Sequence, residues 1–230
     1  ALIERAEQLS IPKAEDEIAG MILNRFAQIA LVDKYEAYQI FKTEYEQITG
    51  DLELIQTEGM NAVRQVDPNM VVKKKGDNEK EVQEGWKGHI IPFEFAQKIF
   101  LKADMDEVDA KKARLQEIPS EYENILEECS EEEKETISEA LNDSNDAFVI
   151  KAMIKVLKQD AEENKTLIER LSKVENLNSE EKKLKSEIKS AEEELHLKTK
   201  TVIENMTDED IHHVLIVKWI NPICDGISKL

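Results

Sequence analysis

The chain has 230 residues, of which 35% are charged and 5% aromatic, with 7 Gly and 5 Pro. That length can bury the core of one large domain or two small ones. The composition leaves little material for tight turns or stacked sheets, and its Glu, Lys, Leu, Ile and Ala favour long helices. A formal net charge of -19 argues against general binding to a polyanion, whether nucleic acid or an acidic membrane surface.

The charge is unevenly placed: residues 103–146 hold 16 acidic and 4 basic side chains. Such a run reads either as a solvated helix surface or as an acidic face that repels DNA or meets a basic partner. Cys129 and Cys224 are the only cysteines, too few for a disulfide framework, so a reducing cytoplasm is the expected location. No apolar run reaches membrane-span length and no signal peptide opens the chain. The first residue is Ala rather than Met, and the expectation is a piece of something longer.

In chain order, residues 2–9 read as a short helix interrupted at Ile11-Pro12. A second helix is predicted after Pro12, with Glu15, Asp16 and Glu17 at the positive end of its dipole. Ile18, Ile22, Phe26 and Ile29 recur at helical spacing and predict its buried face. The pattern continues through Tyr35, Tyr38, Phe41 and Tyr45 to Gly50, a candidate C-terminal cap, with Asp33 marking a bend or new start. Leu52-Glu-Leu-Ile-Gln-Thr57 alternates as a short strand would, and Met70-Val-Val72 is a second candidate. Gly76-Asp77-Asn78 has turn chemistry, so a small β-hairpin or irregular insertion is predicted at about 52–86.

Pro92 opens the next helix, with Phe93, Ala96, Phe100 and Ala103 as its apolar stripe. Helical composition runs from Asp104 to Cys129, where Pro119 is expected to kink or divide the element. Asn142-Asp-Ser-Asn-Asp146 reads as a loop, followed by a helix over about 147–159. From Asp160 to about Asn205 the pattern is coiled coil: Leu184, Ile188, Ala191, Leu195, Lys198 and Val202 alternate in steps of four and three. Leu167, Leu171, Val174 and Leu177 form a separate stripe. With Asn178 or Ser179 as a new cap, an antiparallel hairpin fits better than one rod. Thr207-Asp-Glu-Asp210 predicts a capping box opening a final helix lined by Ile211, Val214, Leu215 and Trp219, which Pro222 ends or bends.

Catalytic signals are weak. The chain lacks a Gly-x-Gly-x-x-Gly, a P-loop, a Gly-x-Ser-x-Gly and a Cys-x-x-Cys. His212 and His213 stand roughly 100° apart on a helix, so they do not readily share an ion; one is expected in the core and one in solvent. Cys224 reads as a small buried hydrophobe and Trp86 and Trp219 as core anchors. Lys73, Lys74 and Lys75 are the one basic cluster, read either as a soluble loop or as contacts to DNA phosphates. The seam from Leu184 to Val202 either packs internally or meets another protein's helices, and the two are compatible.

Three stretches together resemble the C-terminal region of the modification (methyltransferase) subunit of type I restriction–modification systems. They are Asp33-Lys-Tyr-Glu-Ala-Tyr-Gln-Ile40 with Gly50-Asp-Leu-Glu-Leu-Ile55 and then Gly85-Trp86; Gly88-His-Ile-Ile-Pro92 with its aromatic-rich helix; and Met206-Thr-Asp-Glu-Asp-Ile211 followed by Val217-Lys-Trp219. The resemblance covers most of the chain from about Leu31. It implies a parent subunit that methylates adenine N6 with S-adenosylmethionine through a Gly-rich loop and an Asn-Pro-Pro-Phe/Tyr motif that holds the flipped base. Neither motif occurs here, and Asn221-Pro-Ile is not one, so no catalytic, cofactor-binding or metal residue carries over.

What the resemblance implies instead is assembly. Two modification subunits join a DNA-reading specificity subunit, which also links them to a restriction subunit, and the C-terminal helices pack on its helical spacers as the complex closes on DNA. Leu184, Ile188, Leu195, Val202 and Trp219 are the expected contact. The expected fold is mainly α, a helical bundle with a long helical hairpin or coiled coil and a small β-hairpin insertion. Residues 1–159 would form the body, and residues 160–230 the hairpin and closing helix. The rival readings are a free-standing coiled-coil scaffold and an acidic inhibitor that mimics DNA.

Overall fold

The computed structural model describes residues 2–29, 33–75, 78–142, 147–149 and 165–230. Among the described residues the chain is mainly helical, as its composition predicts, with one antiparallel β-hairpin. It divides into two compact units, one of residues 1–102 with 196–230 and one of residues 103–195.

In the first unit, a 3₁₀ turn at Ile3–Arg5 precedes α1 (Ile11–Phe26), which has Pro12 in its first turn. Pro lacks an N–H, and that position needs none. The face expected to be buried is only half covered: Ile18, Ile22 and Phe26 are partly buried and Ile29 is exposed. Helix α2 (Lys34–Glu58) starts where Asp33 suggested, with the Asp33 carboxylate accepting from the Tyr35 N–H at 2.8 Å.

Neither the cap expected at Gly50 nor the strand expected at Leu52–Thr57 forms. The helix runs on to Glu58 and stops at Gly59, whose φ of 82° suits glycine. The reason is spacing. Phe41, Tyr45, Ile48, Leu52 and Ile55 continue one stripe in steps of four and three, and all five are buried. Gly50 lies on the open side, where an added Cβ would meet nothing within 4 Å.

The hairpin joins β1 (Val66–Lys75) to β2 (Asn78–Gly88), with Val66 opposite Gly88, Val71 opposite Val82 and a register shift between Pro68 and Met70. Met70–Val72 is thus strand as expected, but its partner lies downstream, and Gly85-Trp86 belongs to β2. Gly76 and Asp77, where the turn was expected, lie outside the described residues. After buried Ile90 and Ile91 comes α3 (Phe93–Phe100), with Pro92 just before it and Ala96 buried.

The second unit pairs α4 (Lys102–Glu127) with the first part of α6 (Lys165–Glu204). Pro119 does not divide α4. Between them lie α5 (Glu131–Thr136), opened by a capping box in which Ser130 and Glu133 exchange hydrogen bonds, and a 3₁₀ turn at Ser138–Ala140. A helix was expected from Ala147, but residues 147–149 instead pair with the segment before them: Leu141 bridges Phe148, and Val149 N–H donates to Ala140 O at 2.7 Å. Residues 143–146 and 150–164, with the rest of that loop and helix and the expected start of the coiled coil, are outside the described residues.

No break occurs at Asn176–Ser179; α6 is one rod with Asn178 buried inside it. An antiparallel pair does exist, but α6 forms it with α4. Ile118, Ile125 and Leu126 of α4 pack in one core with Leu167, Leu171, Val174 and Leu177 of α6. Arg114 clasps Glu180 at 2.7 Å and also binds Glu121, and Lys112 meets Glu192 at 2.7 Å. Tyr122 donates to Glu181 at 3.2 Å, and burial followed by that carboxylate pushes its phenol up to about 12.

The end of α6, from His196, lies in the first unit. The chain then turns into α7 (Asp208–Leu215) through the expected capping box: Asp210 N–H donates to Thr207 Oγ1 at 3.1 Å, and Thr207 N–H to Asp210 Oδ2 at 2.9 Å. The Thr207 hydroxyl, donating to Oδ2 at 2.7 Å, and then its N–H hold the Asp210 carboxyl below its ordinary range. A π turn over Ile216–Ile220 leads into α8 (Asn221–Ile227), with Pro222 in its first turn. No helix among the described residues is long and apolar enough to cross a membrane.

Candidate assembly interface

Residues from two of the stretches singled out in the sequence meet at one carboxylate, and a third joins them through Lys218. Asp51 Oδ2 accepts from Lys218 Nζ at 2.5 Å and from Trp219 Nε1 at 2.8 Å, and Lys218 Nζ also donates to Ile90 O at 2.6 Å. A π turn rotates less per residue than an α turn, so consecutive side chains diverge less and both reach one oxygen. Trp219 is 1% exposed and seated in the core with Phe41, Tyr45 and Leu52. Nothing in the sequence ties Asp51 to residues 167 and 168 positions away; its only signal is its place after Gly50 in a recognised stretch.

A second junction joins β2 to α6. Trp86 N–H donates to His196 Nε2 at 2.9 Å, which fixes the proton of neutral His196 on Nδ1. Lys200 Nζ stands 3.8 Å above the Trp86 ring, and Phe93 packs on His196 with ring centroids 4.8 Å apart. Gly85, at φ 71°, admits this approach, since a Cβ there would lie 2.6 Å from His196 Nε2. Trp86 is half-buried with its ring under Lys200, a more exposed anchor than expected.

The residues expected to meet a partner are largely used within the chain. Ile188 and Leu195 are buried, Leu184 and Val202 half-buried, and Trp219 is a core residue. The seam also shifts by one position at its end. Thr199 and Ile203 are fully buried where Lys198 and Val202 were expected, because a strict seven-residue repeat drifts around a helix of 3.6 residues per turn. Thr199 Oγ1 accepts from Gln97 Nε2 at 3.0 Å, and Ile203 joins the core of the first unit.

The lysine cluster lies on β1. Lys73 pairs with Glu84 at 2.5 Å and Lys74 with Glu79 at 2.9 Å, both across the hairpin, while Lys75 ends the strand opposite Asn78. His212 and His213 are both exposed, which corrects the expectation that one is buried: Ile211, Val214 and Leu215 supply the buried face of α7. Cys224, expected in the core, is exposed, and Cys129 is buried. No group of three His, Cys, Asp or Glu among the described residues is placed to hold a metal ion.

His89, just past β2, was not singled out by sequence. Its Nδ1 lies 2.7 Å from Asp67 Oδ2 of β1, and Glu58 Oε2 at the end of α2 stands 3.4 Å from Nε2. Nε2 is buried and has no hydrogen-bond partner among the described residues. The bond to Asp67 raises the imidazole above its ordinary value of 6.5 against some desolvation, and Glu58 adds to the rise. Comparison with known protein families, with curated proteins and with solved structures gives no match to this chain.

Proposed function

We propose that this chain is the non-catalytic C-terminal part of a type I restriction–modification modification subunit, a helical module that packs on the specificity subunit and helps clamp DNA. The observation that supports this reading is the Asp51, Ile90, Lys218 and Trp219 junction. It brings residues from three of the stretches on which the resemblance rests into one junction. A free-standing coiled-coil scaffold has less support, because Ile188 and Leu195 of the seam it would use are already buried within the chain.

Cofactor and adenine chemistry would then belong to the parent subunit, and DNA contact to the full complex. Lys73 and Lys74 are exposed, but each already has a carboxylate partner, so phosphate contact there would require exchange of that partner. Contact with the specificity subunit would use outer helix faces, since Ile188, Leu195 and Trp219 are covered.

Two measurements test this. The coding sequence upstream of Ala1 should specify a Gly-rich cofactor loop and then Asn-Pro-Pro-Phe or Asn-Pro-Pro-Tyr. The full subunit, co-expressed with its specificity subunit, should appear by native mass spectrometry as two modification subunits to one specificity subunit. A start codon directly before Ala1, or no complex, overturns the proposal.

A further inference from the structure

Helix α1 is 16 residues long and carries Ile18, Ile22 and Phe26 on one stripe, yet it has no buried residue. Two adjoining grooves run along it and share Ile18 and Met21. One continues to Leu9 and the other to Phe26. Met21 is 63% exposed, the highest value among the large exposed hydrophobics. The charges lining these grooves are Arg5, Lys13 and Arg25 against the single carboxylate of Glu17, a local excess of cations in a chain of net charge -19.

The arginines make the contrast sharper. Arg64, Arg114 and Arg170 are all held in ion pairs, whereas Arg5 and Arg25 have no ion pair among the described residues. Guanidinium groups with free donors at the rim of an apolar groove favour carboxylate partners, which they bind with two parallel hydrogen bonds. A length of roughly 24 Å, at 1.5 Å per residue, matches a partner helix of about four turns.

We propose that the open face of α1 docks an amphipathic helix of another protein whose apolar stripe is flanked by carboxylates. The stripe covers Met21, Phe26 and the exposed edges of Ile18 and Ile22, whose inner sides pack on the first unit's core, and the flanking acids pair with Arg5, Lys13 and Arg25. This rests on α1 and the short segment before it, and stands whether or not the chain belongs to a modification subunit.

The test is a selection against the full chain from a displayed library of helical peptides with a fixed leucine stripe and randomised flanks. Enriched flanks should be Asp and Glu. A recovered peptide should lose on the order of tenfold or more in affinity to Met21→Asp and to Arg25→Glu, the loss of one anchor. Both positions are exposed, and circular dichroism verifies that each variant keeps its helix content. A Lys-flanked version of the peptide should regain affinity for Arg25→Glu. Neutral or basic flanks, no binders, or binders indifferent to Met21→Asp would overturn the proposal. So would self-association that Met21→Asp abolishes, which makes the occupant a second copy, or binding to vesicles of anionic lipid.

Discussion

His89 shows what a single ring does when two carboxylates from different elements face it. With Nδ1–H donated to Asp67, a neutral ring points the Nε2 lone pair at Glu58, acceptor against acceptor; protonation turns that contact into a donor facing a carboxylate. Because the folded-state value is raised, the ring's contribution is complete below its ordinary 6.5 and is lost as pH rises through the higher folded value. Urea melts across that interval should show stability falling with pH in the wild type and a flatter profile in His89→Gln. Equal slopes would show that the carboxylates do not hold the proton. Asp51 is the other decisive residue. Asp51→Ala leaves Lys218 and the Trp219 indole N–H without their shared acceptor, and should cost about 2–3 kcal/mol of unfolding free energy. A loss near zero would mean that water replaces the carboxylate.

At the scale of elements, the hairpin carries a built-in conflict. The register sets Lys73 directly opposite Lys80, and like charges so placed repel. Lys73 reaches instead to Glu84, and Lys80 gains no ion pair among the described residues. Lys80→Glu should stabilise the hairpin by about 0.2–1 kcal/mol, read as slower amide exchange along β1 and β2. Faster exchange would show that Glu79, Glu81 and Glu84 outweigh Lys73. Gly85 at φ 71° is a second pressure point: Gly85→Ala costs about 1–2 kcal/mol for the left-handed backbone and also drives a methyl into His196. Its diagnostic is a changed chemical environment at Trp86 N–H, beyond a lower melting temperature.

Over the whole molecule, a net charge of -19 works against compaction through self-repulsion. Screening should therefore help more than it harms, since most ion pairs here are surface pairs of small individual value. The melting temperature should rise when sodium chloride is taken from low to moderate concentration. A fall would show that the clasps around Arg114 and Arg170 outweigh the general repulsion.

What the sequence determined by itself were features that depend on neighbours a few positions away. Helical class follows from composition. The starts at Asp33 and Thr207 follow from capping side chains, and the start beside Pro12 from proline's fit to a first helical turn, all complete within four residues. The apolar spacing of α2 was also legible, and reading it strictly would have carried the helix past Gly50 to Ile55. Tertiary structure alone decided which stripes face each other. One unbroken α6 takes α4 as its partner, because the choice between a rod with an outside partner and a folded hairpin depends on surfaces far apart in sequence. It likewise decided that Trp219 lies inside on Asp51 while α1 keeps an open face. Periodicity identifies an apolar face but carries no information about what covers it; that is settled only when distant segments compete to bury the same surface.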